Sequence, residues 1–210
     1  WERATPRITA TILGALGQME LPLSARSSSA DAAASALEAA VQQACAVLGE
    51  DVFSTDGKSM EAVVGEMLLA RGHRIALGES CTGGLVTSRL TDVAGSSQYV
   101  ERAIVAYAND AKTELLGVPR ALIEQHGAVS EPVAMAMAEG ARASAKVDVA
   151  IGVTGIAGPG GGSAEKPVGT VAIAAVIGPA TGVRTFRFHG EREQVKFQAS
   201  QAALDMVRRM

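Results

Sequence analysis

Aromatic side chains are scarce in this sequence, at 3% of 210 residues, although 48% of the residues are hydrophobic. Alanine, valine, leucine and glycine must therefore form the core, a mixture typical of closely packed α/β layers. No run of lysine or arginine stands out, and the formal net charge is −3. This balance argues against a surface for nucleic acid or for a membrane, so we expect neither as a partner.

Cysteine and histidine are also few, and their positions match no metal-binding pattern. The two cysteines, Cys45 and Cys81, lie in different segments, and the three histidines, His73, His126 and His189, are far apart. We therefore expect no bound metal, and no other cofactor. Cys45 lies among apolar neighbours in an alanine-rich segment, which predicts a small buried side chain.

The start of the sequence lacks both a methionine and a signal-peptide pattern. It reads "WERATPRI", which indicates a piece of a longer protein or a processed product. No apolar run is long enough to cross a bilayer. We expect a cytoplasmic protein.

Residues 1–57 differ from the rest of the sequence in their pattern of apolar and polar residues and are predicted to form a small α+β unit. The segments "RITATIL" and "MELPLSAR" alternate as strands do, and "SSADAAASALEAAVQQACAVLG" is typical of a long helix with Ser29 or Asp31 as its cap. The following "EDVFSTDGKS" predicts a short strand and a turn-rich linker.

Residues 58–210 alternate between helical and strand patterns, which predicts a three-layer α/β/α domain with a mixed sheet. Ser59 and Ser130 are the expected caps of two helices, and Gly72 the expected end of the first. The predicted elements are, in order, helix "SMEAVVGEMLLARG", strand "HRIALGES", helix "GGLVTSRLTDV", strand "ERAIVAYAN", helices "DAKTELLGV", "PRALIEQHG" and "SEPVAMAMAEGARASA", strand "VDVAIGVTG", hairpin strands "VGTVAIAAVIG" and "GVRTFRFHG", and helix "REQVKFQASQAALDMVRR".

The segment "GESCTGG", residues 78–84, places three nucleophilic side chains between a strand and a helix. A helix that starts within "CTGG" would set Ser80 at its N-terminus, where free amides can hold an oxyanion. Ser80 or Thr82 can also simply cap the helix, which is the commoner role. Cys81 is the rival nucleophile, since a thiol at a helix N-terminus is partly ionised, but no histidine base accompanies it.

A serine nucleophile needs a base, and without a suitable histidine a lysine is the alternative. In "AIVAYANDAKTELLG", Lys112 can act as the base and Tyr107 as a proton relay or a donor to the intermediate. Taken singly, each also fits an ordinary role, Lys112 as a solvated helix lysine and Tyr107 as a strand-end core residue.

A third group of candidates follows the strand "VDVAIGVTG". Thr154 ends this strand, and the glycine-rich "GIAGPGGG" after it can turn N–H groups toward an anion, although it matches neither a Walker A loop nor a dinucleotide fingerprint. Lys166 and Arg192 can each reach a phosphate or carboxylate. A flexible loop with solvated cations is the simpler interpretation.

Four ordered motifs resemble the CinA C-terminal domain family, that is, the nicotinamide-nucleotide amidase family. They are "GESCTGGLVTSRLTDVAGSS", "AIVAYANDAKTELLGV", "HGAVSEPVAMAMAEGAR" and "VTGIAGPGGGSAEKPVGTV", and the resemblance covers roughly residues 59–210. It implies hydrolysis of the amide of nicotinamide mononucleotide to nicotinate mononucleotide and ammonia, without a metal, by a cytoplasmic enzyme of pyridine nucleotide salvage.

The resemblance also implies a set of site residues. It makes Ser80 the nucleophile, Lys112 its base and Tyr107 an assisting group. The implied substrate-binding residues are Thr82, Gly83, Gly84, Thr154, Gly155, Gly158 and Arg192, of which Arg192 lies in the stretch that matches most loosely.

Residues 1–57 resemble the tail of the small KH-like linker domain of longer CinA proteins, in which a molybdopterin-binding-like domain comes first. The "GALG" at 14–17 fits an RNA-clamping loop, but it has few basic neighbours, so a turn between strands is favoured. The resemblance and the apolar strand "VAIAAV" suggest a homo-oligomer, a dimer or larger. The alternative to an amidase is a non-catalytic nucleotide-binding or sensor module with the same pocket.

Overall fold

The computed structural model describes residues 6–15 and 17–210. These residues belong to two compact units, Trp1–Lys58 and Ser59–Met210.

The small unit opens with an antiparallel ribbon that is interrupted once on each side. Its four strands are β1 (Arg7–Ala10), β2 (Leu13–Ala15), β3 (Gln18–Glu20) and β4 (Leu23–Arg26), with β1 paired to β4 and β2 to β3. We predicted two unbroken strands, and this was wrong because Pro22 lacks the N–H that the ladder needs. The carbonyl of Pro22 still accepts a hydrogen bond from the Thr11 amide, at 3.1 Å. The first two residues of the "GALG" stretch, Gly14 and Ala15, belong to β2, Gly17 directly precedes β3, and Leu16 lies outside the described residues.

The helix of the small unit, α1 (Ala30–Leu48), begins as expected. The Ser29 Oγ accepts a hydrogen bond from the Ala32 amide at 3.1 Å, so Ser29 and not Asp31 is the cap. Cys45 is half-buried, not buried as we predicted, since α1 has no fully buried residue. The predicted strand after α1 is replaced by a short 3₁₀ turn, Gly49–Asp51, and a bend in which the Ser54 hydroxyl accepts the Lys58 amide.

The large unit is built on a five-stranded mixed sheet with the order β6-β5-β7-β8-β9. Strand β5 runs parallel to β6 and β7, whereas β8 runs antiparallel to both β7 and β9. The prediction of a mixed sheet that ends in a hairpin is therefore confirmed. The strands are β5 (Ile75–Glu79), β6 (Val100–Val105), β7 (Val149–Gly155), β8 (Thr170–Ile177) and β9 (Ala180–Arg187).

Helices cover both faces of this sheet, which confirms the three-layer prediction. Helices α2, α3 and α7 contact one another on one face, and α4, α5 and α6 contact one another on the other. The helices are α2 (Met60–Arg71), α3 (Leu85–Thr91), α4 (Asn109–Leu116), α5 (Arg120–His126), α6 (Glu131–Ala145) and α7 (Arg192–Arg208). Within the part of the chain that the structure describes, no helix is long and apolar enough to cross a membrane.

The core lies along the central strands, whose residues are apolar almost without interruption. Every residue of β5 is buried, and so are all but the last of β7 and β8. Gly152 lets α6 pack directly on β7, because a Cβ there would clash with the Ala134 carbonyl. This close approach holds the carboxyl ends of β5 and β7 in fixed positions, which matters because candidate residues follow both strands.

Buried Arg89 ties the helices of one face together. This α3 side chain donates to Glu61 of α2 at 2.7 Å and to Ser200 and Gln201 of α7 at 2.8 and 2.6 Å. Its guanidinium also lies 4.7 Å from the ring centroid of Phe197. These contacts fix α7 against the helix that follows the "GESCTGG" loop.

Helix boundaries follow the predicted caps with one difference. The Ser59 hydroxyl accepts from the Ala62 amide at 3.4 Å, and Gly72 ends α2 in the left-handed conformation. Ser130 precedes α6, but its hydroxyl donates to the Gly127 carbonyl at 2.8 Å and does not cap the helix.

Candidate active site

Three of the predicted site residues lie at one edge of the sheet because their strands are parallel. Ser80 directly follows β5, Tyr107 follows β6 by two residues, and Thr154 is the last but one residue of β7. The carboxyl ends of parallel neighbours meet at the same edge, where α/β proteins bind their ligands. Residues from three separate motifs of the sequence therefore lie at the same end of the sheet.

Ser80 is held rigidly while its hydroxyl stays uncommitted. Its amide donates to the Val153 carbonyl at 2.9 Å, which extends the β5–β7 ladder by one residue, and its carbonyl accepts the Gly83 amide at 3.0 Å. The residue is 7% exposed. Its Oγ forms no hydrogen bond to Lys112 or to any other residue that the structure describes.

Glu79 occupies the helix N-terminus that we expected to hold an oxyanion. Helix α3 begins only at Leu85, and the Glu79 carboxylate accepts the amides of Gly84, Val86 and Thr87 at 3.0, 3.2 and 2.9 Å. It also accepts the Thr87 hydroxyl at 2.6 Å. The expectation that helical amides face the substrate was therefore wrong, because a buried carboxylate already uses them.

Glu79 was not predicted as a site residue, although an acidic residue shortly before a helix is a known capping signal. Because the Glu79 carboxylate caps α3, fewer amides near Ser80 remain available to donate a hydrogen bond to a ligand. Of the amides of residues 80–85, those of Cys81 and Thr82 donate to no carbonyl or carboxylate among the described residues. These two N–H groups directly follow Ser80, and they also favour the Cys81 thiolate, so a substrate oxygen would compete with that sulfur for them.

Cys81 is unsuited to act as a nucleophile in this environment. The side chain is 5% exposed, and burial, reinforced by the nearby Glu79 charge, raises the pKa of its thiol to about 12. The amides of Cys81 and Thr82 and the Lys112 charge favour the thiolate only weakly against that. The thiol is therefore not partly ionised as we expected, mainly because it is buried and secondarily because the Glu79 charge lies close to it.

Lys112 is a buried lysine that forms no ion pair with any carboxylate in residues 6–15 and 17–210. It lies in the first turns of α4, is 2% exposed, and donates from Nζ to the carbonyls of Ala106 and Tyr107 at 3.1 and 3.2 Å. Burial lowers the pKa of its ammonium, because water no longer solvates the charge. The Ala106 amide in turn donates to the carbonyl of Glu79 at 2.8 Å, so the ammonium lies at the strand end beside the residue that precedes Ser80.

Arg192 joins two of the predicted segments. At the start of α7, its guanidinium donates to the Gly158 carbonyl and to the Tyr107 hydroxyl, both at 2.7 Å. The Tyr107 side chain is 58% exposed, and its hydroxyl contacts Arg192, whereas only its carbonyl contacts Lys112. The structure thus brings Tyr107, Gly158 and Arg192 together.

The remaining predicted binding residues are mostly explained by packing. The Thr154 hydroxyl donates to the Ala128 carbonyl at 2.8 Å. A Cβ on Gly155 would lie 2.7 Å from Val171, and one on Gly158 would lie 2.6 Å from Val168. Gly83 and Gly84 have φ of 63° and 92°, a region that favours glycine.

Two polar groups in this region have no partner among the residues that the structure describes, and one of them, Lys196, was not predicted from the sequence. The Thr82 hydroxyl is buried and makes no hydrogen bond in the described structure. Lys196 lies on α7 one turn after Arg192, and its Nζ approaches Gly83. The four-residue spacing from Arg192 was the available signal, since it puts both cations on one helix face.

Two further observations concern possible metal ligands and a groove on the surface of the large unit. Among the described residues, no group of three or more histidines, cysteines or acidic residues is placed to hold a metal ion. A groove of about 750 Å³ lies elsewhere in the large unit, between α4, α5 and α6, and is lined by residues such as Leu115, Met135 and Ala143. None of the candidate site residues lines that groove.

The fold and the site together define a three-layer α/β/α domain with a serine and a buried lysine at the carboxyl edge of its parallel strands. The model of the CinA C-terminal domain family matches residues 57–210. The chain belongs to this family.

Relatives with related names share both sequence and fold. A CinA-like protein of Syntrophobacter fumaroxidans is 53% identical over 175 residues, which cover 83% of this chain and 41% of that protein. A CinA-like protein of Koribacter versatilis is 44% identical over 202 residues, which cover 96% of this chain and 49% of that protein. The chain spans less than half the length of these curated relatives.

The solved structures that this chain resembles are shorter than the chain itself, so the match covers nearly all of each of them. The competence/damage inducible protein CihA of Agrobacterium tumefaciens has 38% identity and a TM-score of 0.70, over 75% of this chain and 97% of that one. A competence-damaged protein (CinA) superfamily member of Escherichia coli has 31% identity and a TM-score of 0.69, over 78% of this chain and 98% of that one.

Proposed function

We propose that the unit Ser59–Met210 hydrolyses the carboxamide of nicotinamide mononucleotide through a Ser80 acyl-enzyme. The observation that carries this proposal is Lys112, which is buried, has a lowered pKa and forms no ion pair with a carboxylate of the described residues. It donates to the carbonyl of Ala106, whose amide donates to the carbonyl of Glu79, the neighbour of Ser80. A lysine whose pKa is lowered gives up its proton more readily than an exposed lysine, which is the property that a general base requires. The choice of substrate rests on the resemblance of the four motifs to the amidase family.

In the acylation step, the neutral Lys112 amine takes the proton of the Ser80 hydroxyl. The Ser80 oxygen forms a bond to the carboxamide carbon, and the carbonyl electron pair moves onto its oxygen. The amides of Cys81 and Thr82 are the groups available to stabilise this oxyanion, an arrangement in which the residue after the nucleophile contributes its N–H. Preorganised donors of this kind act mainly on the transition state.

Collapse of the intermediate breaks the carbon–nitrogen bond. The Lys112 ammonium returns its proton to the leaving nitrogen, and ammonia departs, which leaves the acyl group on Ser80. Water then attacks the same carbon while Lys112 accepts a proton from it. The acyl-oxygen bond breaks, Ser80 recovers its proton, and the carboxylate product leaves.

Tyr107 and Arg192 have supporting roles in this scheme. Their hydrogen bond, at 2.7 Å, fixes the phenol next to a guanidinium that also binds the loop after β7. Arg192 uses two of its five N–H groups in these contacts, and the others remain for a substrate oxygen. Tyr107 assists by stabilising the connection between β6 and α4. Both carbonyls that accept hydrogen bonds from Lys112 belong to this connection.

The test is ammonia release from nicotinamide mononucleotide by the wild type, Lys112→Met and Lys146→Met. Lys146 follows α6 at the opposite edge of the sheet, so its variant is the matched control. We expect turnover in the wild type and the control, and a loss of roughly a hundredfold or more in kcat for Lys112→Met, as for removal of a general base. If the wild type binds the nucleotide without releasing ammonia, the unit is a nucleotide-binding module and the proposal is wrong.

A further inference from the structure

The positively charged side chains near the candidate site differ in whether they have partners. Lys112 and Arg192 each donate two hydrogen bonds to neutral oxygens. Lys166 donates one, to a carbonyl at the end of α5. Lys196 forms no hydrogen bond or ion pair with any residue in the described ranges.

Lys196 reaches the loop that carries the proposed nucleophile. The residue is half-buried on α7, and its Nζ lies 3.7 Å from the point that a Cβ on Gly83 would occupy. Gly83 is three residues after Ser80, and its amide donates a hydrogen bond to the Ser80 carbonyl. The neighbouring Thr82 hydroxyl is buried and also has no hydrogen-bond partner within the described part of the chain. Two unpartnered polar groups therefore flank Gly83, one cationic and one able to donate or accept a hydrogen bond.

The charges on α7 favour an anion at this position. Arg192 and Lys196 stand four residues apart, so their side chains share one face of the helix and repel each other. Glu193 lies in the same turn but forms no ion pair with Lys196 among the described residues. A phosphate placed against this face would satisfy Lys196 and relieve the repulsion, since lysine binds phosphate as a compact point charge.

We propose that Lys196 binds the phosphate of the nucleotide substrate, and thereby makes the site prefer a mononucleotide to the nucleoside with the same amide. This inference rests on the proposed function, because it places the amide at Ser80 and the phosphate near α7. The proposed function concerns the chemical step, whereas this inference concerns how the site selects its substrate.

The test measures binding apart from turnover. Nicotinamide mononucleotide and nicotinamide riboside are titrated calorimetrically into Ser80→Ala, and into the same variant carrying Lys196→Met, Lys196→Arg or Lys146→Met. We expect Lys196→Met to raise the Kd for the mononucleotide roughly tenfold to hundredfold, as for a lost charged contact. The Kd for the riboside stays unchanged, Lys196→Arg retains most of the affinity, and Lys146→Met has no effect.

Several outcomes overturn the inference. An unchanged Kd for the mononucleotide in Lys196→Met, an equal weakening of both ligands, or no binding of the mononucleotide to Ser80→Ala each contradicts it. Thermal unfolding of each variant confirms that the fold is retained. Ammonia release by the wild type is measured separately, so a nucleotide-binding module that never hydrolyses the amide is told apart from an amidase in which Lys196 has no role.

Discussion

Lys112 shows how the fold gives an ordinary residue type an unusual property. A lysine on an exposed helix keeps its charge at neutral pH, but here the ends of β6 and α4 enclose the side chain and supply only carbonyl acceptors. These oxygens partly satisfy the ammonium, and burial still lowers its pKa. The same residue therefore has a measurable effect on stability, whether or not it is catalytic.

We predict that the free energy of unfolding of the wild type, taken relative to that of Lys112→Met at the same pH, rises with pH below the ordinary lysine pKa of 10.5. Between the lowered pKa of the folded state and 10.5, the unfolded chain binds a proton that the folded chain does not, so raising the pH favours folding. Urea unfolding of both proteins across this alkaline range measures the difference. Parallel curves for the two proteins would contradict a depressed pKa for Lys112.

Single residues were predictable from the sequence only where chemistry and motif agreed. Ser80 and Lys112 were suggested by their residue types and then by resemblance to a family. Glu79 and Lys196 were missed, because their importance comes from what they approach in space. A carboxylate that turns back onto α3 and a lysine that reaches over from α7 are consequences of packing.

At the scale of elements, the connection between β5 and α3 determines the candidate site. Glu79 is fully buried and accepts four hydrogen bonds from the first turn of α3. A buried carboxylate at a helix N-terminus is stabilised by the amides and by the dipole. The cap thus fixes the turn Cys81–Gly84, and with it the direction of the Cys81 and Thr82 amides.

We predict that Glu79→Gln lowers the free energy of unfolding by about 1–2 kcal/mol, because an amide offers one acceptor oxygen and no charge to the α3 amides. It also lowers kcat more than it raises KM, since the loop that holds Ser80 loses its anchor. Chemical denaturation and steady-state kinetics are compared with those of Glu124→Gln, a change on the exposed surface of α5. A variant as stable and active as this control would show that the cap does not support the site.

The elements themselves followed the sequence closely where the pattern was strong. The caps Ser29 and Ser59, the buried strand β7 and the final hairpin all lie where local pattern put them. The errors fell where a pattern was weak: the ribbon β1–β4 is interrupted at Pro22, and the segment after α1 forms turns through its own Ser54 and Asp56 side chains. Local hydrogen bonds from such residues compete with strand pairing.

On the scale of the whole molecule, every candidate residue belongs to one of the two compact units. The sheet, its helices and the site lie within Ser59–Met210, and the family match begins at residue 57. The solved relatives are covered almost completely by a match to about three quarters of this chain. A unit with its own core and its own site is expected to fold alone.

We therefore predict that a fragment of residues 59–210 folds cooperatively and releases ammonia with the kcat and KM of the full chain. Thermal unfolding and kinetics of the two proteins, measured side by side, provide the comparison. A fragment that fails to fold, or that folds with a much lower kcat, would show that residues 1–58 support the site directly.

The identity of the nucleophile is the central claim, and two adjacent substitutions test it most directly. Ammonia release from nicotinamide mononucleotide is measured for the wild type, Ser80→Ala and Cys81→Ala, each checked for its fold by thermal unfolding. Because the Cys81 thiol has a pKa of about 12 and is buried, we predict that Cys81→Ala turns over while Ser80→Ala is inactive. Activity in Ser80→Ala together with its loss in Cys81→Ala would contradict the serine mechanism.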